Sequence, residues 1–292
     1  TSSISIPLKR KNTITGDQTG VFLVRAFSEY YGSTASGPTL LVKVYPASTR
    51  TDVWVDNRNG TDMGCSKMDG DLAVFETVCS SLYHGVLYTK KRGITLKVSE
   101  GEYAVDAPLQ AQFHEMSIVS ARDTHTRLMC NSGPCFESND NKFPSLIKGF
   151  RVQGNTGKTD SSGGCIKLEH VDATVRIEDS IFANCGTKGH GGAIYIAGCS
   201  GVMLKNITIR TSQADHLGGG LAVFDSGRVD ILYSRILENT AGSGGGIAVV
   251  NGKEKVRTGM RIRCIGTVMT GNLAGATGGH NIIENVVPGV HN

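Results

Sequence analysis

The feature that most constrains this chain is a pair of adjacent glycines that returns four times, each time followed by an apolar alternation. The copies are Gly163-Gly164-Cys165-Ile166-Lys167-Leu168, Gly191-Gly192-Ala193-Ile194-Tyr195-Ile196, Gly219-Gly220-Leu221-Ala222-Val223 and Gly245-Gly246-Ile247-Ala248-Val249, with a weaker one at Gly278-Gly279. Counted at the second glycine, the steps are 28, 28 and 26 residues (164 to 192 to 220 to 246), and the step to 279 is 33. A recurring period of this size marks a repeat architecture, in which no unit can bury its apolar face alone and each must stack on its neighbours. Glycine supplies 38 of 292 residues, with only 7 prolines and 39% hydrophobic residues. Collagen would need glycine at every third position and a disordered linker would need far fewer apolar residues, so both are excluded.

A second alternating segment follows each pair about ten residues later: Val175-Arg176-Ile177, Val202-Met203-Leu204, Val229-Asp230-Ile231 and, after a gap, Arg261-Ile262-Arg263. Strands about five residues long, returning at this period without an intervening amphipathic helix, predict an all-β chain folded as a parallel β-helix (solenoid) rather than a sandwich. Asn184, Asn239 and Asn272 each close an apolar strand, with Thr211 or Ser212 in that place in the intermediate unit. Asparagine tolerates the left-handed backbone of a sharp corner and can bond to the coil above or below. The longest step exceeds the others by about six residues, which predicts a protruding basic loop over 251–258.

The succession Ile181-Phe182-Ala183-Asn184 then Gly191-Gly192-Ala193-Ile194 resembles the repeats of the chlamydial polymorphic outer-membrane proteins and their eukaryotic relatives. That resemblance spans residues 140 to 285 or so. It implies a right-handed parallel β-helix of the pectin-lyase-like superfamily, carried on surface-exposed adhesive or structural proteins. Upstream, Val53-Trp54-Val55-Asp56, Asn59-Gly60-Thr61-Asp62, Cys65, Leu72-Ala73-Val74-Phe75 and Cys79 resemble the entrance of secreted β-helices, where a first strand and a short capping helix precede the coils. The likeness implies a Cys65–Cys79 bridge stapling that cap, worth about 3 kcal/mol on chain entropy. Ile94 to Tyr103 then looks like a first full coil ending in Gly-x-Tyr.

The expected division is residues 1–50 as a partial β-sandwich or accessory strands, 51–92 as the cap, and 93–292 as the parallel β-helix. Thr39-Leu40-Leu41-Val42-Lys43-Val44-Tyr45 resembles the closing strand of an immunoglobulin-like sandwich, but a whole sandwich needs roughly twice the length available here.

Eight cysteines, Cys65, Cys79, Cys130, Cys135, Cys165, Cys185, Cys199 and Cys264, are spread without a CxxC pair. That pattern favours disulfides over zinc and leaves their connectivity open. Two sequons, at Asn59 and Asn206, offer glycosylation acceptors. Together these predict an extracellular or cell-surface protein. No apolar run of about 18 residues is present, so no direct membrane insertion is expected. The start carries no signal peptide, which reads as a mature chain or an excised segment.

Known carbohydrate-active β-helices supply motifs against which to test for chemistry. Gly189-His190-Gly191 matches the Gly-His-Gly of polygalacturonases and Arg261-Ile262-Arg263 is similar to their Arg-Ile-Lys, yet the acidic motifs that supply proton donor and water-activating base do not precede His190. Gly101-Glu102-Tyr103 resembles a pectin methylesterase segment without that family's Gln-Asp pair, and reads as a strand-ending turn. Lys167, Arg176, Lys205 and Arg210 fall on outward positions of alternating strands, as any solvated residue would. Asp56, Asn57, Asn59, Asp62, Asp69 and Asp71 offer calcium-type oxygens, but Val55 stands where a calcium loop would begin with aspartate. No catalytic, cofactor or metal residue is therefore assigned, and no cofactor is expected.

Lys253, Lys255, Arg257, Arg261 and Arg263 form a candidate contact surface for a partner or an acidic glycan. A net charge of +4 does not call for nucleic acid. Aromatics at 6%, with Trp54 the single tryptophan, suggest no stacking platform. The sequence thus predicts a non-enzymatic structural or adhesive β-helix whose partners are other domains or copies in an extracellular assembly. The alternative is a polysaccharide lyase, a hydrolase or a glycan-binding β-helix.

Overall fold

The computed structural model describes residues 22–29, 39–46, 52–58, 80–88, 94–110, 116–154, 160–251, 260–275 and 278–285. The chain divides into two compact units, residues 1–49 with 69–74, and 50–68 with 75–292. In the first, Phe22–Glu29 and Thr39–Pro46 pair antiparallel, Phe22 opposite Pro46 and Glu29 opposite Thr39.

The second unit is a parallel β-helix of four stacked sheets. The first sheet has eight strands in the order Asp52–Val55, Ile94–Val98, Met116–Ser120, Ser145–Lys148, Thr174–Glu178, Gly201–Lys205, Arg228–Leu232 and Arg261–Ile265. The second, of seven, runs from Gly101–Val105 through Thr126–Cys130, Phe150–Gly154, Ile181–Ala183, Thr208–Arg210 and Arg235–Leu237 to Val268–Thr270. The third, also of seven, runs from Leu109–Gln110 through Phe136–Asn139, Ile166–Glu169, Ile194–Ala197, Leu221–Phe224 and Ile247–Val250 to Ile282–Asn285. A fourth, of two-residue strands, joins Gly186–Thr187, Gln213–Ala214, Thr240–Ala241 and Leu273–Ala274.

Alternation sends every second side chain inward, and the parallel register stacks like on like. One inward column reads Leu96, Ile118, Ile147, Ile177, Leu204, Ile231, Cys264. Another reads Tyr103, Leu128, Val152, Phe182, Ile209, Ile236, Met269. A third reads Leu109, Phe136, Ile166, Ile194, Leu221, Ile247. Up to Ile231, Ile236 and Ile247 these side chains are buried, each worth about 1.5–3 kcal/mol against exposure. At the other end helix α1 (Leu82–Tyr88) lies against the first coil: Leu82 is buried, and a Cβ on Gly85 would sit 2.5 Å from Val55 Cγ2 and 2.9 Å from Leu96 Cδ1.

The glycine repeat marks a corner of every later coil. Gly163, Gly191, Gly218 and Gly244 have φ of 75°, 67°, 68° and 62°, the left-handed region. The residue after each is pressed against the coil above: a Cβ on Gly192 would lie 2.0 Å from the Gly219 carbonyl oxygen. The stacked column is therefore one residue earlier, at Gly218 and Gly244, than the pairing of Gly219-Gly220 and Gly245-Gly246 suggests. Triple glycines at 218–220 and 244–246 leave the pair ambiguous in sequence. The third-sheet register steps by 28, 27 and 26 residues (Ile166 to Ile194 to Leu221 to Ile247). In the first sheet Val202 to Val229 is 27 and Val229 to Ile262 is 33, so the six extra residues fall before Arg261. The basic loop expected over 251–258 lies, apart from Asn251, outside the described residues.

The asparagine corner also differs from expectation. Asn184 is left-handed, with φ 54°, but its equivalents on the next three coils are Thr211 (50°), Glu238 (55°) and Gly271 (67°). Asn239 and Asn272 stand one residue later and point inward, buried, in a column with Cys185 and Ser212. The Asn239 carboxamide accepts from Ser212 N–H at 2.9 Å and donates to Ile209 C=O at 3.2 Å, while Asn272 Oδ1 accepts from Asn239 N–H at 3.0 Å. A carboxamide carries both donors and an acceptor, so it satisfies backbone groups that the corner takes out of the sheet ladder.

Two substitutions test these corners. Gly192→Ala must push the Gly219 carbonyl away and is expected to lower stability by more than ~3 kcal/mol, read as a fall in the urea midpoint. Asn239→Leu keeps the volume but removes the partner of Ser212 N–H and Ile209 C=O on the preceding coil, with an expected loss of about 2–5 kcal/mol.

Candidate functional site

The structure places the sequence candidates on different faces. Cys130 bonds to Cys135 and Cys165 to Cys185, with Cα separations of 5.0 and 5.6 Å, and Cys130 Sγ stands 3.9 Å from Cys165 Sγ. All four are buried, so the two bridges form a sulfur stack inside consecutive coils. Cys199 and Cys264 are free thiols, which corrects their place among the disulfide candidates. Cys199 is buried with its thiol directed at the Ala197 and Leu168 carbonyls, at 3.4 and 3.6 Å, and burial pushes its pKa up to about 11. Cys264 takes an aliphatic position at the end of an inward column. Cys65 and Cys79, and the bridge between them, lie outside the described residues.

Asn206 sits exposed at a left-handed corner, φ 51°, and its carboxamide donates to Asp179 Oδ1 at 2.8 Å. Asn59 lies outside the described residues, as do Asp62, Asp69, Asp71, Lys253, Lys255 and Arg257. Arg263 Nε donates to Asp230 Oδ1 at 2.9 Å, and Arg228 Nε to the other oxygen at 2.7 Å, so one nearly buried carboxylate holds two guanidiniums. Arg261 is exposed two residues away on the same strand. Lys167 belongs to the third sheet, Arg176 and Lys205 to the first and Arg210 to the second, so these four cations do not converge. Tyr103 of the Gly-x-Tyr turn is buried and its hydroxyl lies 2.9 Å from Ser99 Oγ, a structural setting.

What does converge is the outward side of the third sheet. Its register stacks Glu137, Lys167, Tyr195, Ala222 and Ala248 in one row, and Asn139, Glu169, Ala197, Phe224 and Val250 in the next. Lys167 Nζ reaches Glu169 Oε2 at 2.9 Å and Glu137 Oε1 at 3.5 Å. Burial opposes the ammonium, yet the two carboxylates outweigh it and hold its pKa above the usual value, so Lys167 is a fixed cation and no base at neutral pH. Both carboxylates are spent on one ammonium rather than set apart as an acid and a base.

Beside this triad four rings meet. His190, brought in by the turn before Ile194–Ala197, has its centroid 4.9 Å from Phe224, 5.4 Å from His216 and 6.4 Å from Tyr195; Tyr195 and Phe224 are 5.4 Å apart. His190, Tyr195 and Phe224 are half-buried and His216 is exposed. The low aromatic content suggests no stacking platform, and the structure brings four rings together here. A low aromatic content does not prevent clustering when 190 and 216, or 195 and 224, are about one coil apart. That spacing, applied to ring-bearing residues, was the available signal.

His190 Nδ1 is buried without a hydrogen-bond partner. Burial, then the neighbouring His216, hold its pKa below 6.5. Burial, then the charges of Glu169 and Asp225, raise that of Tyr195. Among the described residues, no group of three or more histidine, cysteine or acidic side chains is placed to hold a metal ion. Comparison with protein-family models, curated proteins and solved structures returns no match.

Two outcomes follow. Non-reducing peptide mapping should recover Cys130–Cys135 and Cys165–Cys185 with Cys199 free, and removing the second bridge, which spans 20 residues, should cost about 3 kcal/mol. For His190, the unfolded imidazole titrates near 6.5 and the folded one lower. The unfolded chain therefore binds more protons in between, and stability falls as pH drops through that window. The unfolding midpoint should lose less on acidification below pH 6.5 in His190→Phe than in the parent, with His216 present in both.

Proposed function

We propose that this chain is a non-enzymatic extracellular module, a rigid β-helical segment of a larger surface or filament-forming protein, related to the pectin-lyase-like superfamily through its Gly-Gly-Ala-Ile and apolar-x-x-Asn repeats. The observation that carries the reading is the use made of the charged side chains on the coil faces. Lys167 is shared by Glu137 and Glu169, Asp230 by Arg228 and Arg263, Glu178 holds Arg176, and Lys148 meets Asp179 at 3.2 Å. Lys167–Glu137, Arg263–Asp230 and Lys148–Asp179 join successive coils and the other pairs close within a strand, whereas hydrolysis needs two carboxyl groups held apart for donating and accepting a proton.

The buried disulfide stack is compatible with an oxidising compartment, and the exposed corner at Asn206 with a glycan on the rod. Partners on this reading are neighbouring domains or copies of the same assembly. Arg261 and Arg263 remain the described part of the surface offered to acidic glycans.

The test is turnover. On polygalacturonate and a panel of neutral polysaccharides the chain should release neither reducing ends nor unsaturated products. Activity that disappears in His190→Ala or Arg261→Ala would overturn the structural reading.

A further inference from the structure

We infer that the ring cluster on the third sheet is a binding subsite for neutral polysaccharide, engaged by stacking on pyranose faces. The rings of His190 and Tyr195 come from one coil and those of His216 and Phe224 from the next, and each lies within 4.9–6.4 Å of a neighbour, centroid to centroid. Tyr195 and Phe224 stand diagonally, and each is in register with an alanine on the adjacent strand, Ala222 and Ala197 respectively. Ala222 is wholly covered and Ala197 is part-exposed, so the accessible apolar surface here is that of the rings themselves. None of the four belongs to the core columns, so packing of the rod does not require them.

Pyranose rings offer flat C–H faces with hydroxyls around the edge, and such a ligand is matched by half-exposed aromatics edged with polar groups. The edge is present: the Tyr195 hydroxyl and the carboxylates of Glu169 and Asp225, whose negative charge is felt at Tyr195. Carboxylates accept from sugar hydroxyls and repel anions. Uronates, sulfated glycans and nucleotides are thereby disfavoured here, and a neutral gluco-configured chain, flat on both faces, is the ligand class the chemistry selects. The proposal deepens the adhesive reading and rests on it only for the extracellular setting in which polysaccharide is met.

Cellohexaose is a suitable probe, titrated calorimetrically and by the imidazole carbon–proton signals of ring-labelled histidine. The expected result is saturable binding that moves the His190 and His216 signals. It should weaken by about tenfold in Tyr195→Ala and in Phe224→Ala, the loss expected for one ring-sized contact. Polygalacturonate should bind more weakly than cellohexaose, and Glu169→Gln should narrow that difference. Absence of saturable binding, unmoved imidazole signals at saturation, or a preference for polygalacturonate would overturn the subsite. Should an alanine variant fail to fold, the histidine signals of the unaltered chain decide the matter. Hydrolysis of bound cellohexaose would overturn the non-enzymatic reading and leave the subsite standing, whereas failure to bind would do the reverse.

Discussion

Coil-to-coil hydrogen bonding requires that each turn of the chain come back to within one strand spacing of the last, and that closure depends on corners. A parallel ladder bonds alternate residues to the coil above and to the coil below, so an error at one corner shifts all later partners. The chain meets the requirement with left-handed residues stacked in columns. Gly149, Asp179, Asn206, Tyr233 and Gly266 form one; Asp140, His170, Gly198 and Asp225 another; Asn184, Thr211, Glu238 and Gly271 a third. Only the Gly163, Gly191, Gly218 and Gly244 column is glycine throughout; a Cβ on Gly163, Gly191 or Gly218 would lie 2.2–2.3 Å from the carbonyl oxygen three residues on in the same coil. Elsewhere the coils leave room for a side chain, and the cost of positive φ is borne by Asp, Asn, Thr or even Tyr.

That difference explains how much was legible. A corner that excludes Cβ leaves an unmistakable mark, and the period, the strand order and the position of the six-residue insertion before Arg261 all follow from it. Corners that tolerate side chains leave a faint one. Asn184 resembles Asn239 in sequence but is the left-handed residue itself, while Asn239 follows a left-handed glutamate and turns inward to bond Ile209 C=O and Ser212 N–H. Local strand endings look alike in both coils, and only the register, one residue different, tells an exposed corner from a buried rung.

Inside the rod, columns are interchangeable by size and polarity more than by identity. Cys185, Ser212, Asn239 and Asn272 occupy one column, and the same site is a disulfide, a hydroxyl or a carboxamide in successive coils. Cys264 ends a column that is aliphatic from Leu96 to Ile231. A cysteine count therefore overstates the bridges, since a thiol is also a small apolar side chain of suitable volume. Cys130–Cys135 closes the short turn between a second-sheet and a third-sheet strand, and Cys165–Cys185 joins the start of a third-sheet strand to the end of a second-sheet strand one coil on.

The outer faces obey the same period, which is why a chain with few aromatics can still assemble a platform. Stacking multiplies whatever a coil presents: a lysine between two glutamates becomes a charge lattice, and rings one coil apart become a contiguous surface. Charges in such a lattice neutralise one another and contribute to cohesion along the rod. Rings do not cancel. Once Tyr195 and Phe224 stand outside the core columns, with alanines beside them in register, their apolar area stays available to a ligand instead of being consumed by the fold. The coil spacing is set by backbone closure, so the distances between the rings are fixed before any ligand arrives, and a stacked ligand does not have to order the site that receives it.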